Sequence, residues 1–283
     1  MDGLLLVDKP AGITSHDTVD RVRRALGVRR VGHAGTLDPM ASGLLVMGVG
    51  RGTRLLRFLS AFDKEYEGTA TLGVDTDTLD AEGTVTTRAP VDVSPEAIRK
   101  AFADLTGDLL QAPPTFSAVK VGGRPLHRAA RAGAPVAAQP RPVRVEVFDL
   151  VSYDPPNAAF RVVCSTGTYV RVLVSDVGRA LGCGAHLSRL VRTRVGPFAL
   201  ADARSPGEPG NLLPLEAAVA HLPSITLTSP EVEAAGHGRP LGPAGLAGPY
   251  AALDPEGGLV GVYADEGAKA VPEVIVRPST RGV

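Results

Sequence analysis

Cysteine appears only twice in 283 residues, as Cys164 and Cys183. Two thiols make neither a disulfide framework nor a metal cage. Long apolar runs are missing as well: Leu4–Val7 and Leu44–Val49 fall far short of the ~20 residues that span a bilayer. The opening Met1-Asp2-Gly3 lacks the basic stretch of a signal peptide. Neither charge sign is in excess, with 30 basic and 30 acidic side chains. Proline (24) and glycine (33) are frequent, yet their share stays below the roughly 25–30% of low-complexity chains. These deficits argue against a membrane protein, a disulfide-stapled secreted domain and a disordered tail. They leave a soluble, cytoplasmic, globular protein as the expectation, with 44% apolar residues for its core. The length fits one large domain and a small one.

The zero net charge conceals a pattern. Residues 1–60 hold nine basic and five acidic side chains, residues 120–150 six and two, and residues 161–194 six and one. Residues 61–119 hold four and eleven, and residues 195–283 five and ten. Three basic blocks separated by acidic ones can converge on one face of a fold. Of the 30 cations, 25 are arginine, whose planar guanidinium grips phosphate and stacks on bases. A GC-rich genome also enriches arginine, so charge alone leaves a nucleic-acid partner open.

Leu4–Val7 reads as a short buried strand closed by Lys9-Pro10-Ala11-Gly12. Asp17–Leu26 reads as a helix with Ser15 as its cap and Gly27 past its end. Val31–Gly43 is glycine-punctuated with little periodicity, Leu44–Val49 is a second buried strand, and Leu55–Leu59 a short helix. Tyr66–Val74 alternates as a strand, and Asp75–Gly83 is acidic and turn-like. Ser94-Pro95-Glu96 opens a helix that Gly107 can end. Residues 111–142 are rich in loop signals, with a basic helix-like patch at Leu126–Ala132. Val143–Tyr153 and Phe160–Ser165 alternate like a hairpin pair, and Tyr169–Leu181 reads as a helix. A linker-like Pro206–Gly210 and a short helix near Leu215–His221 lead to brief apolar runs over residues 225–283. The pattern predicts an α+β fold with a mixed, largely antiparallel sheet, plus a small β-rich domain of roughly 60 residues docked on the main body.

One loop stands out: Gly32-His33-Ala34-Gly35-Thr36-Leu37-Asp38-Pro39-Met40-Ala41-Ser42-Gly43. Loops held by rigid elements often carry function. The residues also permit a structural account, with Asp38-Pro39 starting a helix and the glycines serving turns.

The string from Gly32 to Leu45 resembles the active-site motif of the TruB family of bacterial tRNA pseudouridine-55 synthases. Four further segments resemble that family in the right order. They are Leu6–Gly12 with Ser15; Lys64-Glu65-Tyr66 with Leu72-Gly73 and the Asp75–Asp80 run; Gln111-Ala112-Pro113-Pro114 with Ser117–Lys120; and Gly167-Thr168-Tyr169-Val170-Arg171. Gly184-Ala185-His186-Leu187, followed by Leu190 and Arg192, resembles the family's late motif. Residues 225–283 are similar, more loosely, to an RNA-binding PUA domain. The implied domains are a catalytic 1–224, with an RNA-clamping insertion at about 120–148, and a PUA-like 225–283.

The resemblance implies uridine isomerisation in tRNA. The N1–C1′ bond breaks, the base turns, and C5 bonds to C1′. The base stays bound, so no metal, redox cofactor or energy source is required. Asp38 matches the catalytic aspartate, which would add to C1′, add to the uracil ring, or assist elimination of the base. Only one acid lies in the loop, whereas glycoside hydrolases use two. Arg171 matches the partner cation, which would lower the Asp38 pKa. Tyr66 is implied to stack on the uracil, with Tyr169 beneath it and Leu190 as an apolar wall. The target lies in a folded T-loop and must be flipped out; His33 is implied to fill the gap. Lys9 and Lys64 are implied to contact phosphate or hold the loop. Arg124, Arg128, Arg131, Arg141 and Arg144 fit phosphate contact in the clamp. His127 stands where relatives often have Tyr, a departure that bears on one stacking contact and not on the assignment.

The implied partner is the T-arm of tRNA, bound by a monomer that needs no protein partner. A non-catalytic tRNA-binding or folding chaperone would not require Asp38, Tyr66 and Arg171 together. An RNA-guided synthase with accessory proteins is a further alternative, and the long 120–148 block argues for direct grasp of the T-loop instead. The acidic balance of 195–283 predicts a small contribution of the last domain to affinity.

Overall fold

Alternating or wholly apolar runs bounded by glycine and proline make the strands here, and the computed structural model describes them over residues 1–117, 119–121, 124–126 and 138–276. Strand β1 spans Gly3–Lys9, followed by helix α1 (Ser15–Leu26), β2 (Val31–His33) and β3 (Ser42–Val49). A 3₁₀ turn (Gly50–Arg54) leads to α2 (Leu56–Ser60) and β4 (Lys64–Leu72). A small hairpin follows, β5 (Val74–Thr76) and β6 (Val85–Arg88), then α3 (Pro95–Asp104) and β7 (Gly107–Gln111). The short β8 (Lys120–Val121) and β9 (Arg124–Pro125) precede the long pair β10 (Arg141–Asp154) and β11 (Asn157–Cys164). Helix α4 (Val170–Leu181), β12 (Ala185–Val195) and β13 (Phe198–Ala199) complete the first unit. The last unit holds β14 (Ser224–Thr226), α5 (Ser229–Gly236), β15 (Tyr250–Leu253), β16 (Leu259–Glu266) and β17 (Lys269–Ile275).

The large sheet runs β1-β3-β12-β4-β11-β10-β7, with β2 on β3 and β13 on β12. All its pairings are antiparallel except β3 with β12, as the mixed-sheet expectation requires. Helices α3 and α4 cover one region through Phe102, Phe148, Phe160, Leu173 and Val177, all in one apolar cluster. Phe102 and Phe148 stack at 4.0 Å with Phe160 edge-on. Helix α1 buries Val19 and Val22 against Leu5, Val7 and Leu45.

Several local expectations are corrected. The cap of α1 is Thr14, which forms a capping box with Asp17; Ser15 instead turns inward. Strand β2 lies inside the segment that shows no period, because three residues are too few to display one. The basic block 120–148 is not all insertion, since Arg141 onward is strand β10 of the large sheet. The helix-like patch of 126–132 lies largely outside the described residues.

The small sheet, β14-β15-β16-β17, begins at Ser224. It docks through Ala251, Leu259, Val262 and Val276, which share an apolar cluster with Leu4, Phe58 and Phe198. Arg54 Nη1 donates to Ile275 O at 2.8 Å, and Arg57 meets Glu273.

Gly43 is where β3 meets both neighbours. Its φ is +101°, and an added Cβ would sit 2.4 Å from Arg192 O. Backbone, not a flexible side chain, blocks the space. Gly43→Ala is therefore expected to destabilise the chain by at least about 2 kcal/mol, read as a lowered urea midpoint; a midpoint equal to the parent's would refute the close approach.

Candidate active site

Asp38 sits on the loop joining β2 to β3, and its backbone is fixed from both sides. Leu37 N donates to Ser15 Oγ (2.9 Å), which donates back to Leu37 O (3.1 Å). Pro39 O accepts from Gly12 N at 2.8 Å. Lys9, fully buried, donates from Nζ to Pro10 O, Pro39 O and Ala41 O at 3.0, 3.2 and 2.6 Å. The ammonium of Lys9 thus holds the loop; its three donors are spent on carbonyls, and it offers no phosphate contact.

Opposite the loop, the first turn of α4 presents Arg171. Its Nη2 lies 3.4 Å from Asp38 Oδ2 and its Nη1 3.4 Å from Asp80 Oδ2. Nη2 also donates to Phe116 O at 2.8 Å. Asp80, in the turn between β5 and β6, is buried and accepts from Thr78 Oγ1 (2.6 Å) and Glu82 N (3.1 Å). The Asp38 side chain is 39% exposed, against 4% for Asp80. Asp80 is the member that sequence reading missed: an acidic run between turn residues looks like a solvated loop until the fold turns it inward. Burial pushes the Asp38 carboxyl above the ordinary carboxylate range; Arg171 pulls it back and Asp80 pushes it further up. The expected lowering by the cation is present, but burial outweighs it.

Tyr66 lies on β4 and pairs directly with Arg192 on β12. The register continues from Arg192 to Gly43 and from Gly43 to Lys9, so Lys9, Arg192 and Tyr66 lie in one transverse row of the sheet. Arg192, 1% exposed, donates from Nε to Leu44 O (2.7 Å) and from Nη2 to Gly35 O (3.1 Å). Burial raises the Tyr66 phenol pKa, and the Arg192 charge opposes that rise. The same burial, with the Arg192 charge second, lowers the pKa of the His33 imidazole, which keeps it neutral. Tyr169 caps α4; its N–H donates to Gln111 Oε1 (2.7 Å), Gln111 Nε2 donates back to its carbonyl (3.2 Å), and its ring lies 5.8 Å from Arg171 Cζ. Leu190 is buried in the same cluster as Tyr66, Leu37 and Ala41.

Lys64 stands apart from this set. Its Nζ donates to Ser60 O at 2.7 Å and to Phe62 O, and it is 5% exposed, so it too serves the framework. Of the clamp arginines, Arg141 and Arg144 are exposed on β10, and Arg144 meets Asp108 at 3.0 Å. Arg124 lies on β9; His127, Arg128 and Arg131 lie outside the described residues. No helix among the described residues is long and apolar enough to cross a membrane. Among the same residues no group of three His, Cys, Asp or Glu is placed to hold a metal ion.

Comparison with known proteins follows the same outline. Residues 23–170 match the TruB family pseudouridylate synthase N-terminal domain. Residues 171–205 match a tRNA pseudouridylate synthase B C-terminal domain, and residues 222–277 match tRNA pseudouridine synthase II, C terminal. The chain is 45% identical to tRNA pseudouridine synthase B of Mycobacterium ulcerans, covering 98% of this chain and 96% of that one. It is 46% identical to the protein of the same name from Rhodococcus jostii, covering 98% and 95%. Among solved structures it resembles a chain of a Cbf5-Nop10-Gar1 complex, with TM-score 0.74, 27% identity, and 98% and 85% coverage. It also resembles a chain of an H/ACA RNP bound to a substrate RNA containing 2′-deoxyuridine, with TM-score 0.73, 25% identity, and 98% and 86% coverage.

Burial lowers the Lys64 pKa from 10.5 to about 8. The unfolded chain then binds more protons between those values, so this lysine's desolvation cost is present below pH 8 and fades as pH rises toward 10.5. The parent chain is expected to gain stability relative to Lys64→Met from pH 8 to 10.5, read as the difference in urea midpoints. A difference that stays flat or shrinks across that window would contradict the burial.

Proposed function

From a chain that belongs to the TruB family, and is accordingly a tRNA pseudouridine synthase, we infer that Asp38 is the carboxylate that serves the reacting nucleotide at position 55 of the T-loop. The observation that carries this reading is the Asp38–Arg171–Asp80 array, in which one buried guanidinium is shared by a buried carboxylate and a half-exposed one.

The reaction is an isomerisation, so atoms balance within the nucleotide. The N1–C1′ bond breaks, C5 bonds to C1′, a proton leaves C5 and one is gained at N1. Positive character builds at C1′ while the uracil carries negative charge. Asp38 supplies the anionic oxygen in this step, aimed by Arg171 through a charge-assisted contact. Its backbone cannot drift, because Ser15 and Lys9 hold the residues on either side. Tyr66 stacks on the flipped uracil with Tyr169 alongside, and Leu190 walls the pocket. Exclusion of water keeps the detached base from being lost to hydrolysis. Flipping costs a few kcal/mol of unstacking. The neutral His33 ring supports the gap without bringing a fixed charge.

The enzyme acts in the cytoplasm as a single chain on bare tRNA. The test is tritium release from a transcript labelled at uridine C5, with purified chain and no added factor. About one tritium per tRNA is expected; no release with tight binding retained would point to a binding protein or a guided enzyme lacking its partners.

Asp38→Ala and Asp38→Asn are expected to abolish release while tRNA affinity stays within about tenfold, since base and backbone contacts remain. Measurable turnover in both variants would remove Asp38 from the reaction. Arg171→Lys is expected to lower turnover by roughly a hundredfold, because an ammonium cannot span Asp38 and Asp80 as the planar fork does. Parent-like turnover in that variant would overturn the aiming role.

A further inference from the structure

The basic block of residues 1–60 is unused by the chemistry above. Its one buried cation, Lys9, holds the loop. The exposed ones lie at the end of α1 and in the turn that follows β3. An open groove of about 550 Å³ is lined by Arg23, Arg24, Gly27, Val28 and Arg29 at the end of α1. Arg30 follows, and Nε of Arg30 donates to Thr53 Oγ1 at 2.8 Å. The residue after Thr53, Arg54, reaches Ile275 O of the small sheet. Strand β2 runs from Val31 directly to His33, so Arg30 lies about 10 Å from His33 at ~3.3 Å per residue. Arg30 and Arg54 thus connect the start of β2 with the last domain, and Arg24 and Arg29 stand at the end of α1 just before it in the chain.

Their charge is only partly compensated. Arg23, Arg51 and Arg57 meet Asp20, Asp2 and Glu273. Arg24, Arg29, Arg30 and Arg54 are exposed and make no ion pair among the described residues. In the other basic blocks Arg141 and Arg189 are likewise exposed without an ion pair among the described residues, but most of the described cations there are paired or buried. Arg161 and Arg194 share Glu65, Arg179 meets Asp176, Arg144 meets Asp108, and Arg171 and Arg192 are buried.

We propose that Arg24, Arg29 and Arg30 form a second RNA-backbone surface, which binds phosphates of the helical stem next to the flipped nucleotide. Its residues are distinct in sequence from the 120–148 block. The proposal rests on the tRNA synthase reading, which supplies the RNA. Arginine forks suit phosphate oxygens. Arg29 and Arg30 directly precede β2, whose other end is His33, so these cations adjoin the strand that carries the residue assigned to the flipped-base gap. An RNA helix is gripped by shape and backbone, so a set of cations without base-reading side chains is sufficient.

The test uses the full chain carrying Asp38→Ala, so that binding is measured without turnover. Arg29→Glu/Arg30→Glu is compared with Arg99→Glu/Lys100→Glu, which makes the same net charge change on α3. Binding of a T-arm hairpin and of whole tRNA is titrated across a salt series. The Arg29/Arg30 variant is expected to weaken both RNAs roughly tenfold or more, and to reduce the slope of log Kd against log salt by about one per lost contact. The α3 variant is expected to bind as its parent does. Unchanged affinity and slope in the Arg29/Arg30 variant would overturn the proposal, as would an equal loss in the α3 variant, which marks a general charge effect. If thermal melting shows the glutamate variant unfolded, Arg29→Gln/Arg30→Gln replaces it with half the charge change, and the same losses of affinity and slope decide for or against the surface. Tritium release by the parent chain tests the synthase reading separately, so the two can fail independently.

Discussion

The guanidinium of Arg192 has no carboxylate partner among the described residues. It is held instead by two carbonyls, Leu44 O and Gly35 O, which lie on either side of Asp38 in the chain. Burying a lone cation costs several kcal/mol, and those carbonyl dipoles offset the cost. The consequence is geometric. The loop can take only the path that places both carbonyls within reach, and Gly43 must lack a side chain for the strands to come that close. There is an electrical consequence too. Burial is the largest cause of the shifts around Arg192; its fixed charge comes second at Lys64, His33 and Tyr66, and at Lys9 it follows the opposing charges of Glu82 and Asp38. Both lower the pKa of Lys64, His33 and Lys9, while at Tyr66 burial raises the pKa and the charge opposes the rise. Together they favour neutral His33 and make Lys64 easier to deprotonate.

The same economy governs Arg171. One cation between two anions would orient poorly if both carboxylates were free to move. Asp80 is not free, since Thr78 and the Glu82 amide hold it. Arg171 is therefore anchored from the buried side by Asp80 and by Phe116 O, and it presents a fixed face to Asp38. Asp38 makes a single 3.4 Å contact with the cation and is the more exposed of the two carboxylates. Its raised pKa fits the same picture: the site holds a carboxylate that is aimed more than it is neutralised.

Strands and helices with clean periods are legible from residues alone. Leu4–Val7 lies within β1, Tyr169–Leu181 contains α4, and the alternation of Val143–Tyr153 and Phe160–Ser165 foretells the β10–β11 hairpin. Strand β12 is not legible in this way, although it lies next to β4 at the centre of the sheet. Its register shifts at Leu187/Arg189 and Arg192/Arg194, so the two-residue alternation breaks twice, and it buries an arginine where an apolar residue is expected. Motif order, rather than periodicity, points to Asp38, Tyr66 and Arg171 as a set. Asp80 and the loop-holding use of Ser15 and Lys9 depend on contacts between segments distant in the chain. A hydroxyl beside a helix start reads as a cap, and a lysine beside a proline reads as surface, until the fold gives each a nearer partner.

Net charge of zero is a poor guide to an RNA enzyme of this kind because its cations do two separate jobs. Lys9, Lys64, Arg171 and Arg192 are all buried, and their donors satisfy backbone carbonyls or a carboxylate. They count in the sum but contribute little field at the surface. Other arginines are matched with neighbouring carboxylates across β4, β11 and β12. What remains for a polyanion is a matter of position rather than total. A small number of uncompensated guanidiniums lying beside the site can raise the local potential where the substrate must dock, and the acidic stretches elsewhere then disfavour binding in other orientations. A zero sum in the composition is therefore compatible with a locally positive surface in the folded chain.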